Sequence, residues 1–519
     1  MNPKRIDLWL FEGFPVTAYG LAVYRIAYAL FVLLILDPGH SAYFNFRPLA
    51  ELPDSFFLPP PGPMQLLGGF PPSWFFNSLH VALDLSLVAL LLGYRTQLAS
   101  WLIGTLFLIG FGFLFSAGKI NHVLLFVLLP WLMSFTNWGA AWSLDARQGR
   151  TRPEVASWPL ALLALLVGFA LFTAGFTKLI GGWLDPTTQA TQGHWLKQYF
   201  IVGRQDLLAE LVTYPWPVGL WELLDWGTVF LELGFLPAAF VPRAFRLFLA
   251  GMVGFHLSTA LLLNITFVQN LIVYAAFLNW NAVAAWLKSR FSIRVRVPVL
   301  PLLPILTALF YFWGSPLRRI DRLATFHSDL SLLEVLTNAL GFGVVLVLAL
   351  QAGVRRLKKI HFPVPTAFLY RRAFRGLALW VGLYALLVAT HTGEFWPMSV
   401  FPMFSQAGKP WTRIVVRELT ETDSLSWNPI EGWTTLPGQA FALKPTGITP
   451  LDLTPLVLRA QDSMHLATLR LWERTYFENR RLLVLQAQGK LSEGDVQVTF
   501  TPLLLLHGDT VIWNPQRQP

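Results

Sequence analysis

The sequence contains no cysteine, which removes disulfides, thiolate metal sites and cysteine nucleophiles from consideration. Charged residues are scarce too, at 13% of 519 positions, about half the share of a soluble domain. No glycine-rich phosphate loop, HExxH, CxxC or nucleophile elbow occurs. The 10 histidines are dispersed without metal-ligand spacing, so no metal is expected. The opening MNPKRIDLWLFEGF lacks the apolar core and small-residue cleavage site of a signal peptide, so insertion is expected to rely on the first spanning helix. What is plentiful is apolar: 54% hydrophobic residues and 15% aromatic, with a mean hydropathy of +0.51. This is the composition of a polytopic membrane protein. A net charge of +10 suits nucleic acid in principle, but the basic residues sit in short clusters between apolar runs. That is the positive-inside pattern, so the expected partners are membrane lipids and not nucleic acid.

Windows of about twenty apolar residues, the length that crosses a bilayer, fall at 17–36, 76–92, 97–116, 121–138, 157–177, 221–241, 244–263, 265–286, 299–314, 333–353 and 373–391. The expectation is an all-α polytopic membrane bundle of about 11 transmembrane helices with a small C-terminal α+β extracytoplasmic domain. With the N-terminus cytoplasmic, the loops on that side hold 19 Lys and Arg against 8 on the other, which fixes the expected orientation. Past the last window, RIVVRELT, LLVLQAQG, VQVTFTPLLLL and TVIW are strand-like, while LVLRAQDSMHLATLRLWERTYFENRRLL is patterned as an amphipathic helix. The domains expected are a first transmembrane domain over 1–290, further transmembrane helices over 291–394, and the extracytoplasmic α+β domain over 395–519. The setting is a cell plasma or inner membrane. No convincing internal repeat is present, which counts against a secondary transporter.

Ionisable residues inside apolar spans are costly and mark cavities or partners. Lys178 stands at the end of the fifth run, in LFTAGFTKLIGGWLD, where it either snorkels to the headgroups or acts as a base in a dry place, since low dielectric disfavours the ammonium. Asn121 and His122 lie in SAGKINHVLLF, where Asn121 also fits a helix N-cap. Glu232, in VFLELGFLP, either joins a functional group or bridges to Arg25 of the first span. His256, in GFHLSTALL, reads as a packing residue or as a proton relay. Taken together, an amine and imidazoles on neighbouring helices, in a group opening toward the outer leaflet, suit a lipid-soluble substrate.

The stretches LAVYR, LLGYRTQLASW, KINHVLLF, WSLDA, AGFTKLIGGW and LELGF with FH downstream resemble the vitamin K-dependent gamma-glutamyl carboxylases and their wider relatives, the HTTM (horizontally transferred transmembrane) domain proteins. The likeness runs over about 15–285. The animal carboxylases carry AGxKKLxxxW; AGFTKLIGGW keeps the second lysine, Lys178, and the tryptophan, Trp183, with Thr177 at the first lysine and no aspartates within Ile180–Gly182. The resemblance implies Lys178 as the base that deprotonates a reduced quinone. It places the family's Asn-His pair on Asn121 and His122, a further membrane histidine on His256 and an acidic partner on Glu232, and it puts Trp183 and Glu232 beside the cofactor. It further implies vitamin K hydroquinone, of phylloquinone or menaquinone type, as co-substrate with O₂ and CO₂. In that chemistry quinol oxygenation to the epoxide drives carboxylation of a glutamate side chain on a protein or peptide. Beyond the last span only some 125 residues remain, against the large propeptide-gripping region of the animal enzymes, so a clotting-factor-like propeptide is not expected. The readings from other classes are a quinone oxygenase with another acceptor and a non-enzymatic quinone- or lipid-binding membrane protein.

Overall fold

The computed structural model describes residues 3–317 apart from 42–43, 53, 55–56, 118–119, 121–122, 202–207, 264, 266 and 291–300. Beyond 317 it describes chiefly 378–379, 381–387, 394–399, 411–431, 440–441, 480–492, 495–508 and 510–517, with isolated positions such as Ala407. The helices, in chain order, are α1 (Pro3–Glu12), α2 (Ala18–Phe31, widening into a π turn over Val32–Leu36), α3 (Ser73–Leu92), α4 (Thr96–Ser116), α5 (Leu124–Ser134), α6 (Leu144–Arg147) and α7 (Trp158–Ile180). They continue as α8 (Ala190–Leu196), α9 (Val218–Ala239), α10 (Pro242–Leu263), α11 (Val268–Ala275), α12 (Trp280–Arg290) and α13 (Leu302–Trp313).

Among the described residues, 5 helices are long and apolar enough to cross a membrane, or 6 if the bent pair α11–α12 counts as one span. The expectation of about 11 is therefore corrected, and the reasons are local. The run at 265–286 breaks between α11 and α12 with a bend of 77°. The runs at 121–138 and 299–314 yield helices of only 11 and 12 residues. α9 has the length, 22 residues, but carries Glu222, Asp225 and Glu232, so it is not among the five, although Asp225 and Glu232 are buried within the bundle. The windows at 333–353 and 373–391 lie largely outside the described residues.

Sequence features set several of the boundaries. Thr17 caps α2, its hydroxyl accepting from Gly20 N at 3.1 Å. α3 stops at Gly93, whose φ of +70° favours glycine. Arg25, fully buried, reaches the end of the same helix. Its guanidinium donates to Leu90 O and to Trp142 O, each at 2.6 Å. A cation beside the carbonyls at a helix C-terminus is stabilising, and Arg25 is committed there, so the suggested Arg25–Glu232 bridge is not formed. α4 begins on Asp145, whose carboxylate accepts from Arg95 N and Thr96 N at 2.9 and 2.7 Å.

The contact that places the site is between α7 and α9. A Cβ added at Gly175 would lie 2.8 Å from Glu232 Cβ and Leu233 N. The side-chain-free position lets the two backbones approach as small residues do at membrane helix interfaces. Lys178, three residues on and therefore on the same face, is thereby brought opposite Glu232.

The four strand-like segments fold as β3 (Trp411–Glu418), β6 (Leu482–Ser492), β7 (Asp495–His507) and β8 (Thr510–Trp513), and the short strands β1 (Glu394–Phe395), β2 (Met398–Ser399), β4 (Ile430–Glu431) and β5 (Ala440–Phe441) were not expected. β1 and β2 form a two-stranded pair; the others form an antiparallel sheet in the order β4-β7-β6-β3-β5, with β8 against β7. The buried runs Leu482–Leu485 and Leu503–Leu506 are apolar at consecutive positions, as in strands covered on both faces. Val416, Leu482, Val484, Leu504 and Leu506 belong to the same apolar core as α2–α5. The amphipathic helix expected between the central strands lies almost wholly outside the described residues.

Candidate functional site

The fifth run places Lys178 in the last turn of α7, yet its side chain does not snorkel. Lys178 is 3% exposed and Glu232 5%. The amine donates to both carboxylate oxygens, at 2.9 Å to Oε1 and 2.8 Å to Oε2. Taking two charges out of water costs several kcal/mol per ion, and close two-point contact is the geometry that offsets it. The Nζ also lies 5.4 Å from the ring centre of Trp183, a cation–π contact that adds to the stabilisation.

The loop after α7 is folded back on the site. Gly181 N donates to Thr177 O at 3.0 Å and Trp183 N to Lys178 O at 3.3 Å. Trp183 stacks on His194 of α8 with centroids 5.5 Å apart. α8 is itself held by α9, since the Asp225 carboxylate accepts from Ala190 N and Thr191 N, both at 2.7 Å. The chain beyond the helices reaches the same spot: Ala407 N donates to Gly181 O at 2.9 Å, and Ala407 packs with Trp183, Ala190 and Val229.

A cavity of about 210 Å³ opens beside the ion pair. Lys178, Glu232, Trp183 and His194 form part of its wall, and α10, α11 and the residue before α11 add His256, Asn270, Tyr274 and Phe267. His256 Nε2 is 3.0 Å from the Tyr274 hydroxyl, and its ring stacks on Phe267 with centroids 4.2 Å apart. Apart from these polar groups the lining is dominated by Leu, Ala and Phe side chains. It is the composition of a small-molecule site: mostly apolar, with a few convergent polar atoms.

Four residues named from the sequence thus share one cavity: Lys178, Trp183, Glu232 and His256. Glu232 turns from a partner of Arg25 into the partner of Lys178. Asn121 and His122 lie outside the described residues. Sequence reasoning passed over His194, Asn270 and Tyr274. Asn270 and Tyr274 carry the one signal that was available, two polar groups four apart in an apolar run and hence on one helix face. Among the described residues, no group of three or more His, Asp or Glu is placed to hold a metal ion.

The arrangement combines an apolar chamber, a buried ion pair and a hydrogen-bonded imidazole. Comparison with known proteins then places the chain. The family model described as HTTM domain matches residues 15–281, just over half of the sequence and every helix that lines the cavity. No curated protein and no solved structure matches it. The chain belongs to the HTTM domain family, as an integral membrane protein.

Proposed function

We propose that the chain is an intramembrane enzyme of the vitamin K-dependent gamma-glutamyl carboxylase type, acting on a reduced quinone held in this cavity. The observation that carries the reading is the Lys178–Glu232 pair, buried in the wall of an apolar chamber. A volume of about 210 Å³ exceeds the roughly 150 Å³ that accepts benzene, which suits a substituted ring and not a peptide. The walls would hold such a ring between Trp183, Phe267 and the leucines, with its oxygens toward the polar groups. Vitamin K hydroquinone bound there would supply the electrons that reduce O₂ and, through that reduction, the basicity that a glutamate γ-carbon requires before it can take up CO₂.

The chain's own part is proton handling. An ammonium already carries its full set of protons, so Lys178 accepts another only after passing one to Glu232. Moving a single proton along the hydrogen bond converts the ion pair into an amine beside a carboxylic acid, with no change in net charge. Apolar surroundings disfavour separated charges and so assist that exchange. The amine then stands free to take a hydroxyl proton at Nζ, while the Tyr274–His256 hydrogen bond offers a second exchange path across the cavity. On the expected orientation, with a cytoplasmic N-terminus and extracytoplasmic C-terminal domain, the Lys178 end of α7 faces outward.

The test is turnover. Purified protein given vitamin K hydroquinone, O₂ and labelled bicarbonate is expected to form the quinone epoxide and to label a glutamate-containing peptide, and Lys178→Ala to abolish both while the protein still folds. Epoxide without labelling moves the assignment to a quinone oxygenase with another acceptor. A second reading rests on the two-point closure of the ion pair: a fully satisfied pair is also a sound structural staple. On that reading the chain binds a quinone or lipid without transforming it, and ligand binds but no epoxide appears.

A further inference from the structure

Asn270 is 4% exposed, lines the cavity, and its Oδ1 is buried without a hydrogen-bond partner. Leaving a carbonyl in that state costs about 1–3 kcal/mol, and buried polar atoms in folded proteins are nearly always satisfied. The orientation of the amide follows from its neighbours. The Asn270 side chain hydrogen-bonds the Tyr274 oxygen one turn later on α11, and the Tyr274 hydroxyl lies 3.0 Å from His256 Nε2. With the Tyr274 proton directed to His256, the oxygen of Tyr274 can only accept. The group it accepts from is the Asn270 Nδ2–H, and Oδ1 is left unpaired in a residue of the chamber wall.

We infer that Asn270 is a specificity residue that selects the reduced form of the ligand, its Oδ1 accepting a hydrogen bond from a ring hydroxyl. The inference rests on the quinol reading of the cavity. An amide oxygen accepts and cannot donate. A quinol hydroxyl supplies the missing hydrogen, whereas a quinone carbonyl brings only lone pairs and sets two acceptors against each other. Sites built to bond a ligand hydroxyl discriminate strongly against analogues that lack it, because their own polar atom is then left unpaired. Tyr274 and His256 act as positioning residues, since they hold the amide from turning over.

The experiment is an anaerobic titration of the purified full-length protein, followed by tryptophan fluorescence from Trp183 and Trp195, which both line the cavity. The probes are menadione and its dithionite-reduced form. Wild type is expected to bind the reduced probe at least about tenfold more tightly, the worth of one good hydrogen bond in a buried site. Asn270→Leu, close to the same shape, is expected to bring the two affinities together. Tyr274→Phe keeps the ring against His256 but releases the amide, and is expected to give an intermediate ratio. Equal affinity of wild type for the two forms overturns the assignment of Asn270 and leaves the quinone reading standing, whichever variants fold. Binding of neither form overturns both.

Discussion

Glu232→Leu is expected to destabilise the protein by about 3–5 kcal/mol, the cost of leaving a buried partner charge uncompensated. With the carboxylate gone, the Lys178 ammonium remains 3% exposed, flanked by the Trp183 ring and apolar side chains. The double variant Lys178→Met/Glu232→Leu is expected to recover most of the loss, because two apolar groups of similar size replace a pair whose desolvation nearly cancels its attraction. Thermal unfolding in detergent, compared over the four proteins of the double-mutant cycle, checks this. A single Glu232→Leu variant as stable as wild type contradicts the enclosure of the pair, since its ammonium would then be reaching water.

Gly175→Leu is expected to have the second large effect. Even a Cβ at this position would lie 2.8 Å from Glu232 Cβ and Leu233 N, so a leucine forces α7 and α9 apart. Overpacking of this kind costs about 1–3 kcal/mol. The consequence for chemistry is larger, because displacing a catalytic group by about 1 Å can cost on the order of 10²-fold in rate. Gly168, one heptad earlier, makes a looser approach of 3.2 Å to Ala239 Cβ, so Gly168→Ala is expected to be milder. Unfolding temperature together with quinol-dependent O₂ uptake measures both effects. Full activity in a folded Gly175→Leu variant shows that the close approach does not serve the site.

The length and greasiness of the spans were legible in the sequence, and five of the expected windows correspond to long apolar helices. So were the four longer strands, because alternating and doubly covered patterns survive without tertiary information. The azimuth of each helix was not. Charge complementarity favoured Arg25 for Glu232, but Arg25 is taken up by carbonyl oxygens at 2.6 Å; a lysine on a different helix, brought in by one glycine, holds the glutamate. The break between α11 and α12 was hidden because apolar residues continue through the 77° bend. With the run read as a single straight span, the spacing of Asn270 and Tyr274 gave a shared helix face but not the cavity that it lines. Lys178 was visible through its motif, while its burial depended on the folded-back Gly181–Trp183 loop and on Ala407, some 230 residues away in sequence.

Comparing Lys178→Arg with wild type tests the proton-exchanging role of the pair most directly. A guanidinium keeps the charge and the two-point contact with Glu232 but does not give up its proton near neutral pH. The account predicts that this variant unfolds at close to the wild-type temperature and forms no epoxide from vitamin K hydroquinone and O₂, under conditions where wild type does. Epoxide formation by Lys178→Arg at the wild-type rate would contradict it, and would reduce the buried pair to a staple between two helices.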